Sequence, residues 1–122
     1  EVVPLVGPVS LLLALAASGL NGQNFAFVGY LPVEATERTQ RIRELEALSL
    51  KTGQTQLFIE TPYRNPALLQ ALLHALQPQT RLSISTGLTL DTAHTRSAVV
   101  KDWRSQATGP DKHTPAVFCI GR

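Results

Sequence analysis

Stretches with strand chemistry alternate with stretches long enough for helices, and this alternation limits the fold more than any other feature of the chain. NFAFVGYLP is aromatic and β-branched and ends at Pro32; TQLFIET, RLSIST and AVFCIG have the same character. Between the first two lies a helical stretch from Glu34 to Leu50. Ile42, Leu45 and Leu48 are its expected inward stripe, and Glu34/Arg38 and Glu37/Arg41 have the i,i+4 order that favours ion pairs. Lys51-Thr52-Gly53 reads as its stop. Between the second and third strands lies YRNPALLQALLHALQP. There Asn65 is the expected N-cap, Pro66 fits the first helical position, and Pro78 ends the segment. Leu68, Leu69, Leu72, Leu73 and Leu76 cover one broad face. A short edge strand near Ser97 to Val99 and a short helix from Lys101 to Gln106 complete the pattern. Strands separated by helices need crossover connections. The order therefore predicts an α/β fold: a mixed, mostly parallel five-stranded sheet flanked by helices.

The opening segment, EVVPLVGPVSLLLALAASGLNG, holds an unbroken apolar run from Leu11 to Ala17. It is well short of the roughly 18 apolar residues a membrane span needs. A secretory signal needs a positively charged region ahead of the run, and the only charge there is Glu1. The better reading is a buried helix that starts near Pro8 and stops at Gly19.

At 122 residues the chain fits one domain, and 43% hydrophobic against 16% charged residues is a globular balance. A net charge of +2 permits contact with nucleic acid but supplies no dense Lys/Arg stripe. The single cysteine, Cys119, sits in the strand-like AVFCIG; it allows no internal disulfide and favours a reducing compartment. Neither G-x-G-x-x-G, nor a P-loop, nor C-x-x-C, nor H-E-x-x-H, nor G-x-S-x-G occurs. His74, His94 and His113 match no metal-ligand spacing, so no metal site is expected. Trp103 reads as a packing anchor.

Open α/β sheets bind ligands at the carboxyl ends of their strands. The segments to consider are Glu60-Thr61-Pro62-Tyr63-Arg64 and Ser85-Thr86-Gly87. Arg64 is suited to a phosphate or carboxylate, and Tyr63 either to stacking on a planar ring or to packing on the domain. A plain surface pair between Glu60 and Arg64 is the competing reading.

Three segments resemble a known family. VVPLVGPVSLLLALAASGL is similar to the V-x-P-x-x-G-P-S-x-L-x-x-A-L-A-x-S-G-L segment of the tetrapyrrole methylases, the class III S-adenosylmethionine-dependent methyltransferases. FAFVGYLP resembles the F-x-F-x-G-F-L-P of the ribosomal RNA small subunit methyltransferase I subgroup, and LFIETPYRNPALLQAL resembles its F-Y-E-S-P-H-R strand and following helix. The likeness covers residues 2 to 78.

The resemblance implies that residues 1–122 are the C-terminal α/β domain of a two-domain enzyme whose N-terminal partner carries the glycine-rich cofactor loop. It implies S-adenosylmethionine as cofactor, bound in the cleft between domains. Gly7, Pro8, Glu60, Thr61, Ser83, Ser85, Pro115 and Ala116 are then the candidate cofactor contacts. Ser10, Tyr63 and Arg64 are the candidate substrate contacts, and no catalytic base is assigned. Gly7 has an equal claim as the residue that turns the chain into its first helix. A homodimer, a cytoplasmic location and an RNA substrate follow from the same likeness. The sequence departs from the subgroup where STGLTLDTAHTRS replaces a charged R-E-L-T-K-x-x-E-E stretch and where Tyr63 replaces a histidine. A tetrapyrrole acceptor, or a non-catalytic binding or dimerisation module, therefore stands as the alternative.

Overall fold

The computed structural model describes residues 24–86, 94–105 and 116–121. The expected first helix, Pro8 to Gly19, lies outside them. The described elements are β1 (Phe25–Tyr30), α1 (Ala35–Thr52), β2 (Thr55–Ile59), a 3-10 turn (Pro62–Arg64), α2 (Asn65–Ala75), β3 (Arg81–Thr86), β4 (His94–Val99), α3 (Val100–Ser105) and β5 (Ala116–Gly121).

The five strands form one sheet in the order β1-β2-β5-β3-β4. Strands β1 and β2 pair in parallel; β2–β5, β5–β3 and β3–β4 pair antiparallel. The sheet is thus mixed, as expected, but not mostly parallel. The physical reason is where the last strand lies. The helical crossovers do make β1, β2 and β3 run the same way. Strand β5 then enters between β2 and β3 in the opposite sense, so the hydrogen-bonded neighbours of β3 are antiparallel.

Helix α1 is capped at both ends. The Glu34 carboxylate accepts from the Thr36 and Glu37 amides, each at 2.9 Å. At the other end Gly53 adopts the left-handed region, φ +77°, and its N–H returns to the Ser49 carbonyl at 2.8 Å. Glu34 therefore serves the backbone rather than Arg38, and Arg41 pairs with Glu44 at 3.3 Å. The buried residues are Ile42, Leu45, Glu46 and Ser49, and Leu48 is exposed. Helical period explains the difference. Seven residues beyond Ile42, Ser49 returns to the same line, whereas Leu48 lies about a third of a turn away from it.

Helix α2 buries Leu68, Leu69, Leu72 and Leu73 as its pattern predicts. Asn65 is not its N-cap. The 3-10 turn runs straight into the helix, so the chain is already helical at Arg64, and buried Asn65 is the first residue of α2. Arg104 closes the far end, donating to the carbonyls of Leu73 and Leu76 at 2.9 Å each. The short edge strand expected at Ser97 to Val99 extends back to His94.

All three described helices lie on one face of the sheet. Phe58, Leu82, Ile84, Ala116, Phe118 and Ile120 from the strands join Ile42, Leu45, the α2 leucines, Val100 and Trp103 in one core. Trp103 is the packing anchor its sequence context suggested: its indole N–H donates to the Leu82 carbonyl at 2.8 Å and the Arg96 guanidinium lies 3.9 Å over its ring. Leu57, Ile59, Val117, Cys119 and Ser83, which alternate with the core strand residues, are also buried.

One polar contact ties these layers together. Glu46, buried on α1, accepts from the Gln77 amide at 2.8 Å and from the Thr80 hydroxyl, fixing the α2–β3 connection. Glu46→Ala leaves two inward donors without their acceptor and is expected to lower stability by about 2–3 kcal/mol, read from urea unfolding midpoints. Glu34 gives a pH-dependent counterpart. The Thr36 amide, then the Glu37 amide, hold its carboxyl below the ordinary value of 4.5. A depressed folded-state pKa stabilises above the unfolded value and is lost as pH falls through the folded one. Glu34→Gln should therefore flatten the loss of thermal stability below about pH 4.5 and leave its slope at neutral pH unchanged.

Candidate functional site at the exit of the second strand

Strands β1, β2 and β3 deliver their carboxyl ends to one edge of the sheet. Strands β4 and β5 begin there. The registers place Tyr30 beside Ile59, and Thr86 beside both Ala116 and His94. Glu60 and Thr61 follow directly on β2.

Glu60 is only 2% exposed. Its Oε1 accepts from the Thr61 amide at 2.8 Å and from the Thr61 hydroxyl at 3.3 Å, and faces Arg64 Nη1 at 3.7 Å. Its Oε2 is buried and has no hydrogen-bond partner. Arg64 Nη1 also donates to Thr61 Oγ1 at 3.1 Å, and its side chain is 32% exposed. Its guanidinium carbon stands 4.6 Å over the ring of Tyr63, which is 59% exposed. The 3-10 turn creates this arrangement. Pro62 fixes the turn's start, and the Arg64 amide bonds back to the Thr61 carbonyl at 2.9 Å, folding Arg64 over the residue that holds it.

Glu60, Thr61, Tyr63, Arg64 and Ala116 are thus gathered at one edge. Ser85 lies one residue inside that edge, where its hydroxyl meets Thr95 Oγ1 at 2.7 Å. Ser83 is fully buried in mid-strand opposite Cys119, and its hydroxyl has no partner. Ser83 and Ser85 alternate with the core residues Leu82 and Ile84, so the pleat points them away from the helices, whereas Ala116 belongs to the helix-side core. Gly7, Pro8, Ser10 and Pro115 lie outside the described residues.

Sequence reading missed the end of β1. The β1–β2 register shifts between Phe27 and Gly29, a bulge with Gly29 at φ +87°. Beyond Gly29 and its two chain neighbours, no atom lies within 4 Å of where a Gly29 Cβ would stand. The residue that follows, Tyr30, is 56% exposed, while Leu31 turns into the core. The only available signal was a glycine inside an aromatic strand.

Among the described residues, no group of three or more His, Cys, Asp or Glu side chains could hold a metal ion. No described helix is long and apolar enough to cross a membrane. Burial pushes the Cys119 thiol up to about 12, so it carries almost no thiolate at neutral pH. In the folded protein Cys119 should resist an aromatic disulfide reagent at pH 8 and react only at the rate of unfolding, as followed by absorbance with and without urea.

An S-adenosyl group carries N–H and O–H donors, and Glu60 Oε2, buried and without a hydrogen-bond partner, is an acceptor of the matching kind. With the open bulge at Gly29 allowing close backbone approach, the described part of this edge fits such a group.

No family model matches the chain. It is 33% identical over 124 aligned residues to a ribosomal RNA small subunit methyltransferase I of Mesorhizobium japonicum, covering 99% of this chain and 40% of that protein. It is 35% identical over 89 residues to the protein of the same name from Vibrio cholerae, covering 73% of this chain and 30% of that one. The chain thus spans well under half the length of these relatives. Among solved structures, the methyltransferase CobJ superposes with a TM-score of 0.60 at 16% identity, over 92% of this chain and 47% of that one. A uroporphyrin-III C-methyltransferase from Thermus thermophilus, solved as a complex with S-adenosylhomocysteine, gives 0.54 at 19% identity, over 100% of this chain and 52% of that one. Along 99% of its length in one case and 73% in the other, the chain is similar to ribosomal RNA small subunit methyltransferase I proteins, and its mixed five-stranded sheet flanked by helices has the fold of CobJ and the uroporphyrin-III enzyme.

Proposed function

We propose that this chain is the C-terminal domain of an S-adenosylmethionine-dependent methyltransferase that acts on ribosomal RNA in the cytoplasm as a homodimer. The observation that carries the reading is the 33% identity to a ribosomal RNA small subunit methyltransferase I along 99% of the chain. A corrin or porphyrin acceptor is less well supported, because identity to CobJ and the uroporphyrin-III enzyme is 16% and 19%.

The cofactor supplies an electrophilic methyl group, and its transfer is an in-line displacement governed by the positioning of two reactants. The protein's share is accordingly binding and orientation. Glu60 and Thr61 at the β2 exit, with Ala116 at the start of β5, would hold the cofactor from this domain. Gly7, Pro8 and Pro115 would join them, and Ser85 would line the far side of the sheet edge with the buried Ser83 behind it. The buried Glu60 Oε2 offers one hydrogen-bond acceptor, which suits a hydroxyl or amine of the cofactor. Tyr63, Arg64 and Ser10 would face the acceptor. A preceding domain would complete the cleft.

The test uses the full protein. Calorimetry should register S-adenosylmethionine binding, and methyl label should pass from it to small-subunit ribosomal RNA. Glu60→Gln, which replaces one carboxylate oxygen by a donor, should weaken cofactor binding several-fold. No heat of binding for S-adenosylmethionine would remove this reading; label entering a porphyrinogen instead of RNA would transfer it to the tetrapyrrole acceptor.

A further inference from the structure

Two tyrosines stand more than half exposed at the same sheet edge, and each is placed there by a backbone device. Tyr30 follows the Gly29 bulge at the end of β1 and is 56% exposed. Tyr63 sits in the 3-10 turn after β2 and is 59% exposed. The two strands are neighbours, with Tyr30 in register with Ile59, four residues before Tyr63. Arg64 covers one face of the Tyr63 ring at 4.6 Å. A side chain so exposed while one face is covered keeps its other face in solvent.

The cation is fixed rather than loose. Nη1 of Arg64 is held by Thr61 Oγ1 at 3.1 Å and faces the buried Glu60 carboxylate at 3.7 Å. A guanidinium tethered through one nitrogen still presents a positive charge and further donors outward.

We infer that Tyr30, Tyr63 and Arg64 form a platform for unpaired nucleotides of the RNA substrate, with bases stacking on the two rings and a phosphate meeting Arg64. The inference rests on the RNA reading above and narrows it to a single-stranded segment at this edge. Exposed aromatic faces beside an anchored arginine are the elements with which proteins hold single strands, because every base has a stackable face and every linkage a negative charge. A duplex offers neither free base faces nor the same approach. An enclosed macrocycle would call for rings sunk in a concave pocket rather than rings open to solvent. Glu60 and Thr61 act here as positioning residues, through Arg64.

The test measures binding of a dye-labelled, mixed-sequence single-stranded RNA 12-mer to the full protein by fluorescence anisotropy at fixed salt, with S-adenosylmethionine calorimetry in parallel. Tyr63→Ala and Tyr30→Ala should each weaken RNA binding about tenfold, while Tyr63→Phe, which keeps the ring, stays within about twofold. Arg64→Ala should weaken binding and reduce the salt dependence by about one unit of slope. Cofactor affinity and melting temperature should be unchanged in both tyrosine variants. A duplex of the same sequence should bind the wild type more weakly than the single strand. If the wild type binds the oligonucleotide and both tyrosine-to-alanine variants bind it equally well, the platform is wrong and the RNA reading survives. If the wild type binds cofactor but no RNA of either form, both are overturned. If Tyr63→Ala lowers the melting temperature and leaves RNA affinity intact, the tyrosine packs against another part of the protein and the platform is again overturned.

Discussion

The final strand occupies the middle of the sheet, and everything else depends on its arrival. Strand β5 pairs with β2 on one side and β3 on the other, so that Phe118 lies opposite both Phe58 and Ile84, and Cys119 opposite both Leu57 and Ser83. All six of its residues are buried, and the Phe58 and Phe118 rings stack with centroids 5.8 Å apart. Without β5 the chain holds two separate strand pairs, β1–β2 and β3–β4, each too small to be stable alone. The inserted strand also sets the geometry of the site. It separates the exits of β2 and β3 by two strand spacings, about 10 Å, and starts Ala116 between them.

The elements with strong local signals were legible in the sequence: four of the strands, the leucine face of α2, and the glycine stop of α1. What failed had non-local causes. Crossover helices specify strand direction, and β1, β2 and β3 do run the same way; but adjacency depends on where a distant strand inserts, which no local pattern encodes. Leu48 has the apolar character of an inward residue, but the period favours Ser49, which is buried there. Spacing offers Glu34 as half of an ion pair, yet its carboxylate takes two backbone amides that have no helical partners.

The site was legible in part for the same kind of reason. A charged Glu-Thr-Pro-Tyr-Arg run at a strand end marks an exit from the core, so Glu60 and Arg64 could be paired from spacing alone. The bridge through Thr61 Oγ1 could not, because it depends on the 3-10 turn. Ser83 and Ser85 look alike in RLSIST, but strand length leaves Ser83 two residues deeper and fully buried. The bulge at Gly29 needs a register, and a register needs both strands.

Exposure rises from 2% at Glu60 to 59% at Tyr63 within one turn of chain, and Arg64 spans the difference. A carboxylate withdrawn from water is unfavourable unless paired and hydrogen-bonded. Thr61 satisfies Oε1 twice, but among the described residues only Arg64 brings a positive charge within reach. Arg64 therefore acts inward, compensating a buried acid, and outward, offering a cation beside an exposed ring. Lysine is no equivalent. Its ammonium is a compact point charge, whereas the planar guanidinium can bond Thr61, face Glu60 and lie over Tyr63 at once. The same geometry explains why the turn begins with proline: a longer or freer exit would let Arg64 swing into solvent, leaving Glu60 buried without its counter-charge and Tyr63 without its cation.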